Sequence, residues 1–113
     1  MELKIVGGDY NFTRIALSGK LDVAGEGEIG DHFRDLVSAS STSFIVDMSQ
    51  VTYLASLGIR LLFSAAKTLV GNQKKMVVLN PQPMVEETLL NSGTAKLIPV
   101  THDEAEALRL LTA

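Results

Sequence analysis

The chain has 113 residues, of which 46% are hydrophobic, 20% charged and 5% aromatic, proportions that suit one compact domain with one core and leave no room for two. Its zero cysteines exclude a disulfide framework, a thiol nucleophile and any cysteine-based zinc or iron-sulfur site, and agree with a reducing compartment. Ten Lys and Arg against thirteen Asp and Glu leave a net charge of -3, the wrong sign for a chain whose task is to bind a phosphate backbone, so nucleic acid is not the expected partner.

No apolar run approaches the ~20 residues of a membrane span, and residues 1–8 lack the long apolar core of a signal peptide. Neither direct membrane insertion nor export is expected, and the expected location is cytoplasmic.

Residues 3–6 alternate weakly, Gly7-Gly8-Asp9 has turn composition, and residues 12–18 put Ile15 and Leu17 on one face with Arg14, Ala16 and Ser18 on the other. This predicts an antiparallel hairpin. After Gly19-Lys20-Leu21-Asp22 the period changes, and Ile29, Phe33, Leu36 and Val37 form one helical stripe with Asp31, Arg34 and Asp35 off it. Gly25, Gly27 and Gly30 each disfavour helix by about 1 kcal/mol relative to Ala, which predicts irregular or mobile first turns.

Residues 38–43 form a small polar linker, and Phe44-Ile45-Val46 is the short continuous apolar run of a strand buried on both faces, which implies parallel pairing. From Ile59 the apolar positions Ile59, Leu62, Phe63, Ala66, Leu69 and Val70 step by three and four, with Arg60, Ser64 and Lys67 opposite and Gly71 placed as the left-handed terminator. Gly71-Asn72-Gln73-Lys74 turns the chain into a second buried strand, Met76-Val77-Val78-Leu79. Asn80-Pro81-Gln82-Pro83 leads to a short helix through Val85 and Leu89, with Glu86 and Glu87 near its positive end and Gly93 beyond it. A last strand covers residues 97–100, and Thr101-His102-Asp103-Glu104 has capping-box spacing before a helix carrying Ala105, Leu108 and Leu111. The order β-β-α-β-α-β-α-β-α predicts an α/β domain over residues 1–113 with a mixed β-sheet and about four helices, and no repeat or long linker divides it.

Motifs for catalysis, metals or nucleotides are scarce. His32 and His102 are far apart in sequence, no HExxH, GxSxG, Walker or GxGxxG pattern occurs, and neither metal nor cofactor is expected. His32 beside core positions and His102 in a capping segment read as solvated or locally bonded imidazoles, and a Ser56, His102 and Asp47 triad lacks the nucleophile elbow that would support it. Asp22 and Asp47 each follow a predicted strand, where acids commonly cap the next turn. Met48, Met76 and Met84 read as core filler.

The segment from Phe44 to Arg60 stands apart as strand, loop, serine and helix. Ser56 falls where the helix begins, so it reads either as an ordinary N-cap or as a functional serine placed where added phosphate charge is best tolerated. Gly58 has no side chain to obstruct a partner, and Leu57 and Leu61 lie off the predicted buried stripe, either as a small apolar contact patch or packed on a neighbouring loop.

These residues resemble the STAS domain family, in particular its single-domain anti-sigma factor antagonists. The likeness runs through Leu17-Ser18-Gly19-Lys20-Leu21-Asp22, through Ile45-Val46-Asp47-Met48-Ser49-Gln50-Val51-Thr52-Tyr53-Leu54, through Ala55-Ser56-Leu57-Gly58-Ile59-Arg60, and through Asn91-Ser92-Gly93 with the closing helix from Glu104. In that family the loop reads Asp-Ser-Ser/Thr-Gly and its first serine is the phosphoacceptor, so Ser56 matches the phosphoacceptor and Gly58 the glycine, while Ala55 stands for the usual acid and Leu57 for the second hydroxyl residue. The resemblance implies a non-enzymatic, bacterial transcription regulator: it binds an anti-sigma factor with serine kinase activity through a surface around Asp22, Leu57, Gly58, Arg60 and Leu61, and a serine phosphatase restores it. A constitutive STAS subunit of a phospholipid ABC transport complex, docking on its ATPase, is the alternative that Ala55 fits without difficulty. A ligand-binding STAS domain and a hydrolase are more distant alternatives.

Overall fold

The computed structural model describes residues 1–112. The elements are β1 (Glu2–Gly8), β2 (Phe12–Leu21), α1 (Val23–Ala39), β3 (Ser43–Leu54), α2 (Ser56–Gly71), β4 (Met76–Leu79), α3 (Pro83–Asn91), a 3-10 turn (Thr94–Lys96), β5 (Val100–Thr101) and α4 (Glu104–Thr112). The predicted order therefore holds, with the 3-10 turn added. The strands form one sheet in the order β1-β2-β3-β4-β5, with β1 antiparallel to β2 and every other pair parallel. Strands are added in one direction, so crossovers of one hand bring their helices to one face. Ile29, Phe33 and Val37 of α1, Leu62, Ala66 and Leu69 of α2, and Val85 and Leu89 of α3 accordingly share one apolar cluster with Ile15, Leu17 and Val46 of the sheet.

Helix α4 follows the last strand and covers the opposite face. There Ala107 is buried against Ile45, Val77 and Leu79, with Leu110 and Leu111 packed beside it. The period of two in β4 divides its residues between the layers, Met76 and Val78 facing the large cluster and Val77 and Leu79 the α4 side. Burial on both faces is why this strand reads as an unbroken apolar run.

Several expectations are corrected. Helix α1 is regular from Val23, because the Asp22 carboxylate accepts the Gly25 N–H at 2.9 Å and caps the first turn. Gly25 is buried there: a Cβ would run into the Lys20 carbonyl oxygen, so the glycine that lowers helix propensity permits the close return of α1 past the end of β2. Strand β3 is twelve residues long and includes Asp47 in its middle. Register shifts against β2 leave Met48, Val51 and Leu54 buried at every third position, which breaks the alternation that sequence reading relies on. Gly71 is not the left-handed residue after α2; Gln73 is, at φ 63, and the Lys74 N–H closes back on the Leu69 carbonyl at 2.7 Å.

At the other end, β5 starts at Val100 because residues 94–96 form the 3-10 turn. Asp103, rather than Thr101, caps α4, accepting from the N–H groups of Ala105 and Glu106, while the Thr101 hydroxyl accepts from Asp103. That start rotates α4, burying Ala107 and exposing Ala105 and Leu108. Met48 and Met76 are core residues, but Met84 is 76% exposed on the first turn of α3. His32, expected beside the core, projects from the exposed side of α1.

One polar cluster joins the sheet to α4. The partly buried Arg14 guanidinium lies 3.2 Å from the Asp47 carboxylate and also pairs with Glu104 in the first turn of α4. Burial alone would raise the pKa of Asp47, but hydrogen bonds from Ser49 and the pairing with Arg14 outweigh it and hold the carboxyl below its ordinary value of 3.8. A carboxyl lowered in the folded state contributes stability above its unfolded pKa and loses it as pH falls through the folded value. Asp47→Asn is therefore expected to lower urea stability at neutral pH, with the deficit shrinking as pH falls below the ordinary carboxyl range; a deficit of constant size would show that the charge is not its source.

Candidate functional site

The site is built where the parallel strands β2 and β3 end together. Leu21 and Leu54 are paired across the two strands, and one residue later the chains diverge into α1 and α2. The Ala55 N–H donates to the Leu21 carbonyl at 3.0 Å, so the loop before α2 is tied to the loop before α1. Such carboxyl ends of strands in an open α/β sheet are where groups facing a ligand or partner collect.

Ala55, in extended geometry, occupies the N-cap position of α2 and supplies no side-chain hydrogen bond. Ser56 is the first helical residue, which corrects its reading as an N-cap. Its side chain is exposed, and its hydroxyl makes no hydrogen bond among the described residues. Free backbone N–H groups of the first turn and the absence of any first-turn acid make this end of α2 electropositive.

Gly58 is buried beneath this turn. A Cβ there would lie 2.6 Å from Leu21 Cγ, 2.7 Å from the Leu21 carbonyl oxygen and 2.9 Å from Leu54 Cδ1. Its lack of a side chain serves the approach of α2 to the strand ends, which corrects the expectation that it keeps a surface open. Leu61 is 2% exposed and belongs to the core, so it forms no surface patch with Leu57, which is half-buried. The exposed apolar residues of α2 are instead Phe63 and Val70, 37% and 48% exposed, both expected in the buried stripe. Helix α2 has apolar residues on both edges of its buried arc, so periodicity alone does not select the edge that packs. Leu61, Ala65 and Ala66 all join the large apolar cluster, so the edge carrying Leu61 is the one that packs.

Of the other candidates, Asp22 lies beside the site but its carboxylate is engaged by the Gly25 N–H. Arg60 is exposed one turn beyond Ser56. A shallow hollow is lined by Ser56, Ile59, Arg60 and Phe63 on one side and by Ser92, Gly93 and Thr94 on the other. The segment after α3 is held in place by the Ser92 hydroxyl, which donates to the Leu89 carbonyl at 2.6 Å, and by Gly93 at φ 80. In the sequence Asn91-Ser92-Gly93 carries only a family likeness; the fold puts Ser92 and Gly93 on the facing wall of the Ser56 hollow.

The structure does not assemble a triad from Ser56, His102 and Asp47. His102 Nε2 is 2.6 Å from Glu86 Oε1, Asp47 is bound to Arg14, and no acid or histidine lines the hollow at Ser56. Among the described residues no group of three His, Cys, Asp or Glu side chains is arranged to hold a metal, and no helix is long and apolar enough to cross a membrane.

A family model described as STAS domain matches residues 3–107. Among solved structures, an anti-sigma factor antagonist from Mycobacterium paratuberculosis is similar with a TM-score of 0.82, at 17% identity over 99% of this chain and 96% of that one. The anti-sigma factor antagonist SpoIIAA in its unphosphorylated form is similar with a TM-score of 0.78, at 18% identity over 96% of both chains. The Bacillus cell fate determinant SpoIIAA in its phosphorylated form gives a TM-score of 0.71 at 18% identity, over 96% of this chain and 99% of that one. No curated protein matches the chain by sequence.

Replacing Ser56 and Gly58 separates surface from scaffold. Ser56→Ala is expected to change urea stability by less than about 0.5 kcal/mol, where loss of a true N-cap costs typically about 1 kcal/mol. Gly58→Ala is expected to cost about 1–3 kcal/mol, since backbone and packed leucines must shift to admit the methyl group; equal stability of the two variants would contradict the packing described.

Proposed function

Because the chain belongs to the STAS domain family, we propose that it is an anti-sigma factor antagonist controlled by phosphorylation of Ser56. In its unphosphorylated form it binds an anti-sigma factor with serine kinase activity and thereby frees a sigma factor. The kinase phosphorylates Ser56 and releases the antagonist, and a serine phosphatase restores it. The protein acts through binding in the cytoplasm rather than through a reaction of its own.

The observation that carries this reading is the exposed, uncommitted Ser56 hydroxyl at the electropositive first turn of α2. Phosphate adds about -1.5 to -2 charge and three acceptor oxygens, which this helix end accommodates without rebuilding the fold. A partner that fits the neutral hydroxyl meets repulsion and a desolvation penalty once the charge is present. Leu57 and Arg60 face that partner, Asp22 borders it from the adjoining loop, and Gly58 and Leu61 support it from beneath. The likeness to SpoIIAA in both phosphorylation states supports the same reading.

Ala55 favours one alternative, a STAS subunit docked constitutively on the ATPase of a phospholipid ABC transporter, because the site lacks a carboxylate beside Ser56. Mass spectrometry after incubation with ATP and a lysate of the source cells distinguishes the two. Phosphate on Ser56, missing from a Ser56→Ala control, is the expected result, and Ser56→Asp is expected to bind the isolated kinase about tenfold or more weakly than Ser56→Ala. An unmodified Ser56 in a lysate active on another substrate would overturn the switch and favour constitutive docking.

A further inference from the structure

The Ser56 hollow continues past Phe63 into a second, larger groove that the switch does not use. This groove has a volume of about 630 Å³ and runs between the C-terminal half of α2 and the 3-10 turn, with Phe63, Lys67, Val70, Lys96 and Leu97 among its walls. Its floor is apolar. Phe63 and Val70 are one heptad apart on α2, a separation of about 10.5 Å along the helix. At its ends Gly71 and Gly93 have no atom within 4 Å of where a Cβ would stand, so a partner backbone has room to approach.

The rim of this groove carries one sign of charge. Helix α2 contributes Lys67 and contains no acid, and Lys96 follows from the opposite wall. Lys67 Nζ rests 5.8 Å from the centroid of the Phe63 ring instead of pairing with a carboxylate. Lys96 also has no ion-pair partner among the described residues. No Asp or Glu lines this groove or the hollow beside Ser56, although the chain carries thirteen acids and a net charge of -3. A cationic rim on an otherwise acidic molecule gives the groove a charge preference the rest of the surface does not share.

We propose that this groove docks an acidic amphipathic helix of a protein partner. The apolar side chains of that helix, one heptad apart, lie over Phe63 and Val70 and against Leu97, and its flanking carboxylates pair with Lys67 and Lys96. Helix-in-groove recognition of this kind takes its apolar contacts from positions i, i+3 or i+4 and i+7, the spacing that α2 presents. The docking is independent of the reading of Ser56, since none of the three anchor residues belongs to the first turn of α2.

The test uses two labelled synthetic helical peptides of about five turns, identical in their leucine positions, one with Glu and one with Lys at all flanking positions. Fluorescence anisotropy against the full chain is expected to show about tenfold tighter binding of the Glu peptide, weakening with added salt. In the double variant Lys67→Glu, Lys96→Glu the preference is expected to reverse. Both substitutions are at exposed positions, and an unchanged unfolding midpoint will show that the fold is intact. Ser56→Asp is expected to leave binding of the Glu peptide within about twofold, which separates this groove from the switch. Equal affinity for the two peptides, no binding at millimolar peptide, or a preference unchanged by the double variant would each overturn the proposal. So would concentration-dependent self-association abolished by the same variant, which would assign the groove to a second copy of the chain.

Discussion

The structure depends on how closely the start of α2 approaches the ends of β2 and β3. Two contacts define that approach: the Ala55 N–H on the Leu21 carbonyl at 3.0 Å, and the Cα of Gly58 pressed against Leu21 and Leu54 where no Cβ fits. The first turn of α2 is thereby fixed on the same edge of the sheet as the Asp22 cap of α1. A second glycine works the same way on the other helix, since Gly25 lets α1 start directly beside the Lys20 carbonyl. Both glycines weaken isolated helices, and both are retained where backbone approach outweighs the roughly 1 kcal/mol of lost propensity.

Rigid placement has an electrostatic result. Because Ala55 at the N-cap offers no side-chain acceptor, the first-turn N–H groups keep their partial positive charge, and the hydroxyl of Ser56 is left without an internal partner. A serine that capped its own helix would hold its oxygen against the backbone, and modification would then break a structural hydrogen bond as well as add charge. Here the two effects are separated, so a charge at Ser56 alters what the surface recognises while the apolar cluster beneath it, from Leu54 to Leu61 and Leu62, stays packed.

The fold was legible in the sequence where one physical signal dominated. The apolar run of β4, the stripe of Ile29, Phe33 and Val37, and the alternation around Ile15 and Leu17 each correspond to an element packed as its pattern implies. Boundaries and orientations were less legible because they are tertiary outcomes. Residues 47–54 do not look like a strand because register shifts against β2 change which side chains are buried. The packed edge of α2 is hidden because Leu61 and Phe63 are both apolar and only the neighbouring elements choose between them. At the site, the position of Ser56 was readable to within one residue. Its freedom from capping was not, since that depends on whether Ala55 or Ser56 takes the extended conformation.

The same competition between edges explains the second surface. A helix carrying more apolar residues than its buried arc can accept must leave some in water, and α2 leaves Phe63 and Val70. Exposed apolar residues close together invite self-association. Lys67 limits this by holding its charge over the Phe63 ring, and Lys96 adds the same sign from the facing wall, so two like faces brought together would repel. A partner with carboxylates beside its apolar side chains removes that repulsion and gains the apolar contact. The surplus hydrophobicity of α2 and its lack of acids thus act together, the first supplying contact area and the second deciding which surfaces are admitted to it.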